Sequence, residues 1–217
     1  MTTVDQSAVT AVDVLLQPDA TMLERATAVN ERLRAVYPDG FALDDAHRPH
    51  ITMIQGYFPT ARLPELFAAV HGVLDAEPVA AWSLTATGLY YIPWQNIGLA
   101  GIVITPTPEA VQLQQSLLDA VAPLRADGGT ADAYVTTPDD PEVNQPTLDY
   151  VSAFEQVAAG ERFNPHVSVG MALRDDLDAV LAEPFDEFTF SPTGAAAYQL
   201  GNFGTASRLL HSWDLHS

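Results

Sequence analysis

Pro49-His50-Ile51-Thr52-Met53 and Pro165-His166-Val167-Ser168-Val169 are two copies of one pattern: proline, histidine, apolar, hydroxyl, apolar. They lie far apart, one in each half of the 217-residue chain. In a strand, side chains at i and i+2 point to the same face. His50 therefore shares a face with Thr52, and His166 with Ser168, while Ile51, Met53, Val167 and Val169 turn to the core. Each copy presents an imidazole beside a hydroxyl. A lone His-x-Thr is a weak signal, since many half-buried histidines look the same. Two copies matched in polarity at every position carry more weight.

The flanking sequence reads as alternating strands and helices. Ala8 to Leu16 is expected as a strand, with Val12, Val14 and Leu16 on one face and Ala11, Asp13 and Leu15 on the other. A helix over Ala20 to Val36 follows from Met22, Ala26, Val29, Leu33 and Val36 recurring at steps of three and four. Tyr37-Pro38-Asp39-Gly40 is a turn that stops it. A short strand over Ile51 to Tyr57 and a helix over Leu63 to Leu74 come next. Strands at Trp82 to Thr87 and Asn96 to Ile104 precede a helix that starts at Thr107-Pro108-Glu109 and runs to about Leu124. The stretch 125–148, rich in Asp, Gly, Thr and Pro, has no clean period and is expected as a mobile loop or an insertion. Asp149 to Ala159 reads as a short helix closed by Gly160. A strand at His166 to Ala172 and a helix at Asp175 to Leu181 follow it. The last strands lie near Glu187 to Phe190, Ala195 to Leu200 and Ala206 to Trp213. The expected fold class is α+β, a single domain over 1–217 with helices covering largely antiparallel sheets.

Composition narrows the chemistry. The chain has nine basic residues, all arginine, against 28 acidic ones, for a formal charge of −19. It has no lysine and no cysteine. Schiff-base catalysis, a lysine phosphate loop, a thiolate nucleophile, disulfides and cysteine-ligated metals are thereby excluded. The charge also argues against long nucleic acid and anionic membranes, which need clusters of basic residues. Hydrophobic content of 47% supports a sizeable core. No apolar run reaches the roughly 18 residues of a membrane span. Met1 to Asp13 lacks the basic and apolar blocks of a signal peptide, so a cytoplasmic location and a monomer are the default expectations.

The paired motifs resemble those of the 2H phosphoesterases, the group of RNA 2′,3′-cyclic phosphodiesterases and 2′-5′ RNA ligase-like proteins. The signature there is two His-x-Thr/Ser motifs, each followed by an apolar residue. His50-Ile51-Thr52-Met53 and His166-Val167-Ser168-Val169 both match it. The resemblance implies a bilobal α+β fold with pseudo-twofold symmetry, both motifs facing a central cleft, and no required metal or other cofactor. The stretch before Asp149 has no counterpart in the minimal family pattern.

The implied reaction is in-line attack of water on a cyclic phosphodiester, with a general base on one side and a general acid on the other. Histidine serves either role near neutrality. Which of His50 and His166 takes which role stays open at this point. Thr52 and Ser168 are expected to donate hydrogen bonds to the non-bridging phosphate oxygens. Arg48 is a candidate phosphate ligand. Tyr57, Tyr91, Trp94 and Tyr198 are candidates for stacking on a base, and Asn164 for orienting the second motif. The expected substrate is a small nucleotide or short RNA end. The competing readings are a non-catalytic nucleotide- or phosphate-binding module of the same fold and a 2′-5′ RNA ligase-like activity. A histidine-metal hydrolase is disfavoured because Pro49 separates His47 from His50, and His71, His211 and His216 have no partner at ligand spacing. No Gly-x-Ser-x-Gly elbow supports a serine hydrolase.

Overall fold

A computed structural model of the protein describes residues 8–215 apart from Ala46 and Asp139. His216 lies outside the described residues. Two four-stranded sheets carry the architecture. The first contains β1 (Val9–Pro18), β2 (Ile51–Pro59), β7 (Pro192–Leu200) and β8 (Ala206–Asp214), in the order β2-β1-β7-β8. The second contains β3 (Leu84–Trp94), β4 (Ile97–Ile104), β5 (His166–Leu173) and β6 (Phe188–Phe190), in the order β5-β4-β3-β6. The strand pairings are antiparallel throughout. The two histidine strands, β2 and β5, thus occupy corresponding edges of the two sheets. This is the antiparallel α+β arrangement expected from the sequence.

Among the described residues five α-helices pack on the sheets: α1 (Ala20–Val36), α2 (Leu63–Leu74), α3 (Pro108–Val121), α4 (Gln145–Ala158) and α5 (Arg174–Leu181). Their starts follow from local chemistry. Asp19 caps α1 by accepting from the Met22 amide, and Thr107 caps α3 by accepting from the Ala110 amide ahead of Pro108. The packing crosses over between the halves. α1 follows β1 of the first sheet but lies on β5 of the second, and α3 follows β4 of the second sheet but lies on β2 of the first.

Two element ends differ from the sequence reading by four residues or more, and on one helix face the buried position differs. α4 begins at Gln145 rather than Asp149, because Asn144 accepts from the Thr147 amide and Pro146 sits in the first turn. β3 runs on to Trp94, where Gln95, at φ 54, turns the chain into β4. On α1, Val36 is 53% exposed, and a polar residue, Asn30, takes the buried position at 4%.

The stretch expected as a mobile loop or an insertion is tied along the first sheet. The Ala126 amide donates to the Tyr57 carbonyl and the Val135 amide to the Leu200 carbonyl. Tyr134 is buried against Ala11, Tyr57 and Val151, and its hydroxyl meets that of Tyr57 at 2.7 Å. Asn202 holds the far end through Asn144 and Asp140.

Candidate active site

The two pentads are built alike beyond their letters. In β2, Leu15 faces Thr52 and Val14 faces Ile54, so Met53 is left without a partner on β1. In β5, Gly101 faces Ser168 and Ala100 faces Gly170, so Val169 is likewise skipped. The last residue of each pentad is therefore a β-bulge, a feature common beside active sites. A bulge leaves backbone groups unpaired, and each is answered by a buried amide from the crossing helix. The Asn30 amide of α1 donates to the Val169 carbonyl at 2.9 Å, and the Gln114 amide of α3 donates to the Met53 carbonyl at 3.1 Å. Gly170, at φ +140, follows the second bulge. A Cβ there would lie 2.9 Å from the Asn30 amide nitrogen, so both the backbone and the space call for glycine.

The bulge also resets the alternation. Gln55, three residues after Thr52, returns to its face, and both side chains donate to Asp13 Oδ2 at 2.8 Å. Asp13 sits in the middle of β1 and is fully buried. Its Oδ2 lies 3.5 Å from His50 Nε2. Each histidine is held on its other nitrogen by the carbonyl two residues back. His50 Nδ1 meets the Arg48 carbonyl at 2.6 Å, and His166 Nδ1 meets that of Asn164 at 2.8 Å.

The halves differ at the next layer. Asp13 faces Gln55 across its ladder, and the corresponding pair in the other half is Leu99 facing Met171. A carboxylate thus stands at this register position in one half and an isobutyl group in the other. Burial pulls the His50 pKa down, but its pairing with Asp13, the charge of Asp13 and the Arg48 carbonyl outweigh that and leave it above the ordinary histidine value. Burial also pulls down the His166 pKa. The Asn164 carbonyl and Asp13 oppose this and the nearby His50 reinforces it, so the value ends below the ordinary one.

Both histidines, Thr52, Ser168 and Gln55 line one cavity of about 290 Å³ between the sheets. Its outer wall is aromatic and apolar: Trp94 stands edge-on to Phe203 with ring centroids 5.1 Å apart, near Ile92 and Tyr150. The Ser168 hydroxyl has no hydrogen-bond partner among the described residues and faces this space. The Thr52 hydroxyl differs from the sequence expectation, because its proton goes to Asp13 rather than toward the cleft.

Of the six candidate binding residues, Trp94 lines this cavity and Asn164 lines an adjoining one. The other four do not line it. Arg48 pairs with Asp45 at 2.5 Å, gives its carbonyl to His50, and lines a small neighbouring cavity that shares His50 and Ser168 with this one. Tyr57 is 2% exposed and bonds to Tyr134. Tyr91 donates to Asp178. Tyr198 is 4% exposed and borders a separate small cavity on another side of His50. Of the remaining histidines, His47 stacks on Phe41, and His211 stacks on Phe67. Sequence reading missed Asp13, Gln55, Asn30 and Gln114. Their shared signal is a polar residue set into an otherwise apolar face.

The fold and the two mirrored motifs define a bilobal, paired-histidine protein with one cleft. The family description "2'-5' RNA ligase superfamily" matches residues 22–196, so the chain belongs to this superfamily of 2H phosphoesterases, whose members act on phosphodiester bonds. No curated protein matches the chain in sequence. Among solved structures it is similar to TT0787 of Thermus thermophilus, at 14% identity and a TM-score of 0.55, over 95% of this chain and 98% of that one. That likeness supports the fold. It is also similar to Escherichia coli LigT complexed with 3'-AMP (16% identity, TM-score 0.43, 97% and 100% covered). Kluyveromyces marxianus Usb1 with uridine monophosphate is a further similar structure (12% identity, TM-score 0.46, 94% and 98% covered). No described helix is long and apolar enough to cross a membrane.

Proposed function

We propose that the protein hydrolyses a small 2′,3′-cyclic phosphodiester, with His166 as general base and His50 as general acid. The observation that carries this reading is the substitution of Leu99 for Asp13 between otherwise matching halves. Asp13 favours the imidazolium at His50, and the apolar surroundings of His166 favour the neutral ring. His166 donates Nδ1–H to the Asn164 carbonyl, which leaves Nε2 as the free acceptor.

The steps follow from that geometry. His166 Nε2 takes a proton from water as the water oxygen bonds to phosphorus. The bond from phosphorus to one ribose oxygen breaks on the opposite side, and His50 Nε2–H gives that oxygen its proton. The product is a nucleoside monophosphate, and the two histidines return to their starting states by exchange with solvent. Ser168 donates to a non-bridging oxygen as charge builds there. Thr52, with Gln55, holds Asp13 in place. Trp94, Phe203 and Tyr150 offer the base a surface to stack on. The site needs no metal for any of these steps.

The test is turnover of 2′,3′-cyclic nucleotides with and without EDTA. His50→Ala and His166→Ala are each expected to lower kcat by about 10²–10⁴-fold, and EDTA to have no effect. Full activity in either variant sinks the proposal. Tight binding with no turnover by the unaltered protein identifies a binding module instead. Loss of activity in EDTA identifies a metal enzyme. Net joining of a cyclic phosphate end to a 5′-hydroxyl end identifies the ligase reading.

A further inference from the structure

A second compartment, of about 180 Å³, adjoins the catalytic cavity and shares His166, Thr52, Ile92 and Tyr150 with it. Its character is different. The second is also bordered by Phe154, Val157 and Phe163, but it differs from the first in holding an arginine and tyrosine hydroxyls that bond to nothing. The Arg162 side chain and the hydroxyls of Tyr90 and Tyr150 have no hydrogen-bond partner among the described residues. Gln114 is 1% exposed; its amide nitrogen donates to Met53 and Ala158, but its Oε1 is unpaired. Arg162 is the only permanent cation lining either compartment among the described residues. Its backbone is set by a short turn, Gly160–Arg162, closed by the Arg162 amide on the Ala159 carbonyl. Arg162 is an exposed residue that lines this compartment together with His166 and has no salt bridge among the described residues.

This arrangement rests on the proposed function and extends it. When the 2′,3′ edge of a ribose faces the histidine pair, its base and its 5′-oxygen leave the ring in different directions. The apolar compartment suits the base. We propose that the second compartment is an anion subsite for the 5′-phosphate of the same nucleotide, gripped by Arg162 and the Tyr90 and Tyr150 hydroxyls. The preferred substrate is then a nucleotide carrying a 5′-phosphate, either free or as the link to a short upstream chain, rather than a bare nucleoside cyclic phosphate.

Calorimetric titration tests this without turnover, using adenosine 3′-monophosphate, adenosine 3′,5′-bisphosphate and the dinucleotide ApAp as probes. The bisphosphate is expected to bind about tenfold more tightly than the monophosphate, as one charge-assisted contact to arginine would give. In Arg162→Gln the ratio of the two affinities is expected to fall to within about twofold of one. A gain for ApAp equal to that of the bisphosphate assigns the subsite to an internucleotide phosphate as well, and a gain confined to the bisphosphate assigns it to a terminal one. Equal affinity for mono- and bisphosphate, or a ratio unchanged in Arg162→Gln, overturns the subsite alone. Failure of all three probes to bind overturns both the subsite and the cleft reading beneath it.

Discussion

Asp13 is the residue at which two near-identical half-sites part company. Three groups meet at or near its Oδ2: the Thr52 hydroxyl, the Gln55 amide and His50, while its buried Oδ1 has no hydrogen-bond partner among the described residues. A buried carboxylate is costly to desolvate, so it persists only with such partners. The direction of catalysis should therefore depend on it. In the proposed mechanism, activity falls on the acid side as His166 takes up a proton, at a pKa below the ordinary histidine value. It falls on the alkaline side as His50 loses its proton, at a pKa above that value. In Asp13→Asn the groups that raise the His50 pKa are reduced to the Arg48 carbonyl, and burial remains. The alkaline limb of the pH–kcat profile is expected to move to lower pH by more than the acid limb, which shifts slightly the same way because Asp13 is the smallest of the influences on His166. A larger movement of the acid limb instead would mean that the roles are reversed.

At the scale of elements, the bulge and its crossing helix form a unit that occurs twice. Met53 and Val169 interrupt their ladders, and Gln114 and Asn30 take up the exposed carbonyls. Removing one such amide leaves a buried acceptor unsatisfied, at a cost of about 1–3 kcal/mol. Gln114→Ala and Asn30→Ala are each expected to lose that much stability, read from the urea midpoint at constant m-value. Each should also lower kcat, because the bulge sets the angle between histidine and hydroxyl. The pentads themselves were legible in the sequence because the same polarity pattern occurs twice, which one short copy would not have shown. α1 and α2 were legible to the residue because their ends carry a cap, a turn or a flanking proline. The bulges were not, since an extra residue leaves no mark in a run of apolar letters. Asn30 and Gln114 were hidden for the opposite reason. A polar residue on an apolar face reads as a break in the pattern until the carbonyl that it serves is seen. Tyr57 and Tyr91 had the right chemistry for ligand binding, but strand direction and local pairing sent their side chains elsewhere, while Arg48 and Tyr198 line only small neighbouring cavities beside His50. Thr52 was placed correctly on its face, and only its proton was assigned to the wrong partner.

At the scale of the whole molecule, the excess of 28 acidic over nine basic residues sets the response to salt. Like charges spread over one compact surface repel, and added ions screen them. Tm is expected to rise steadily with sodium chloride over the range from low salt to about 0.5 M. A fall over that range would show that specific ion pairs such as Arg32–Glu183 outweigh the general repulsion. The connectivity of the sheets has a consequence in time as well as in space. The second sheet is built from an uninterrupted middle portion of the chain, but the first joins β1 to β7, so that Val12 pairs with Gln199. Contacts so distant in sequence form slowly and late. During synthesis β1 must wait until Pro192–Leu200 has been made before its second neighbour emerges. The Asp13 face is therefore completed last, and a nascent or truncated chain holds both histidine motifs without the carboxylate set firmly beside His50. On this reading, onset of the proposed catalysis reports closure of the first sheet.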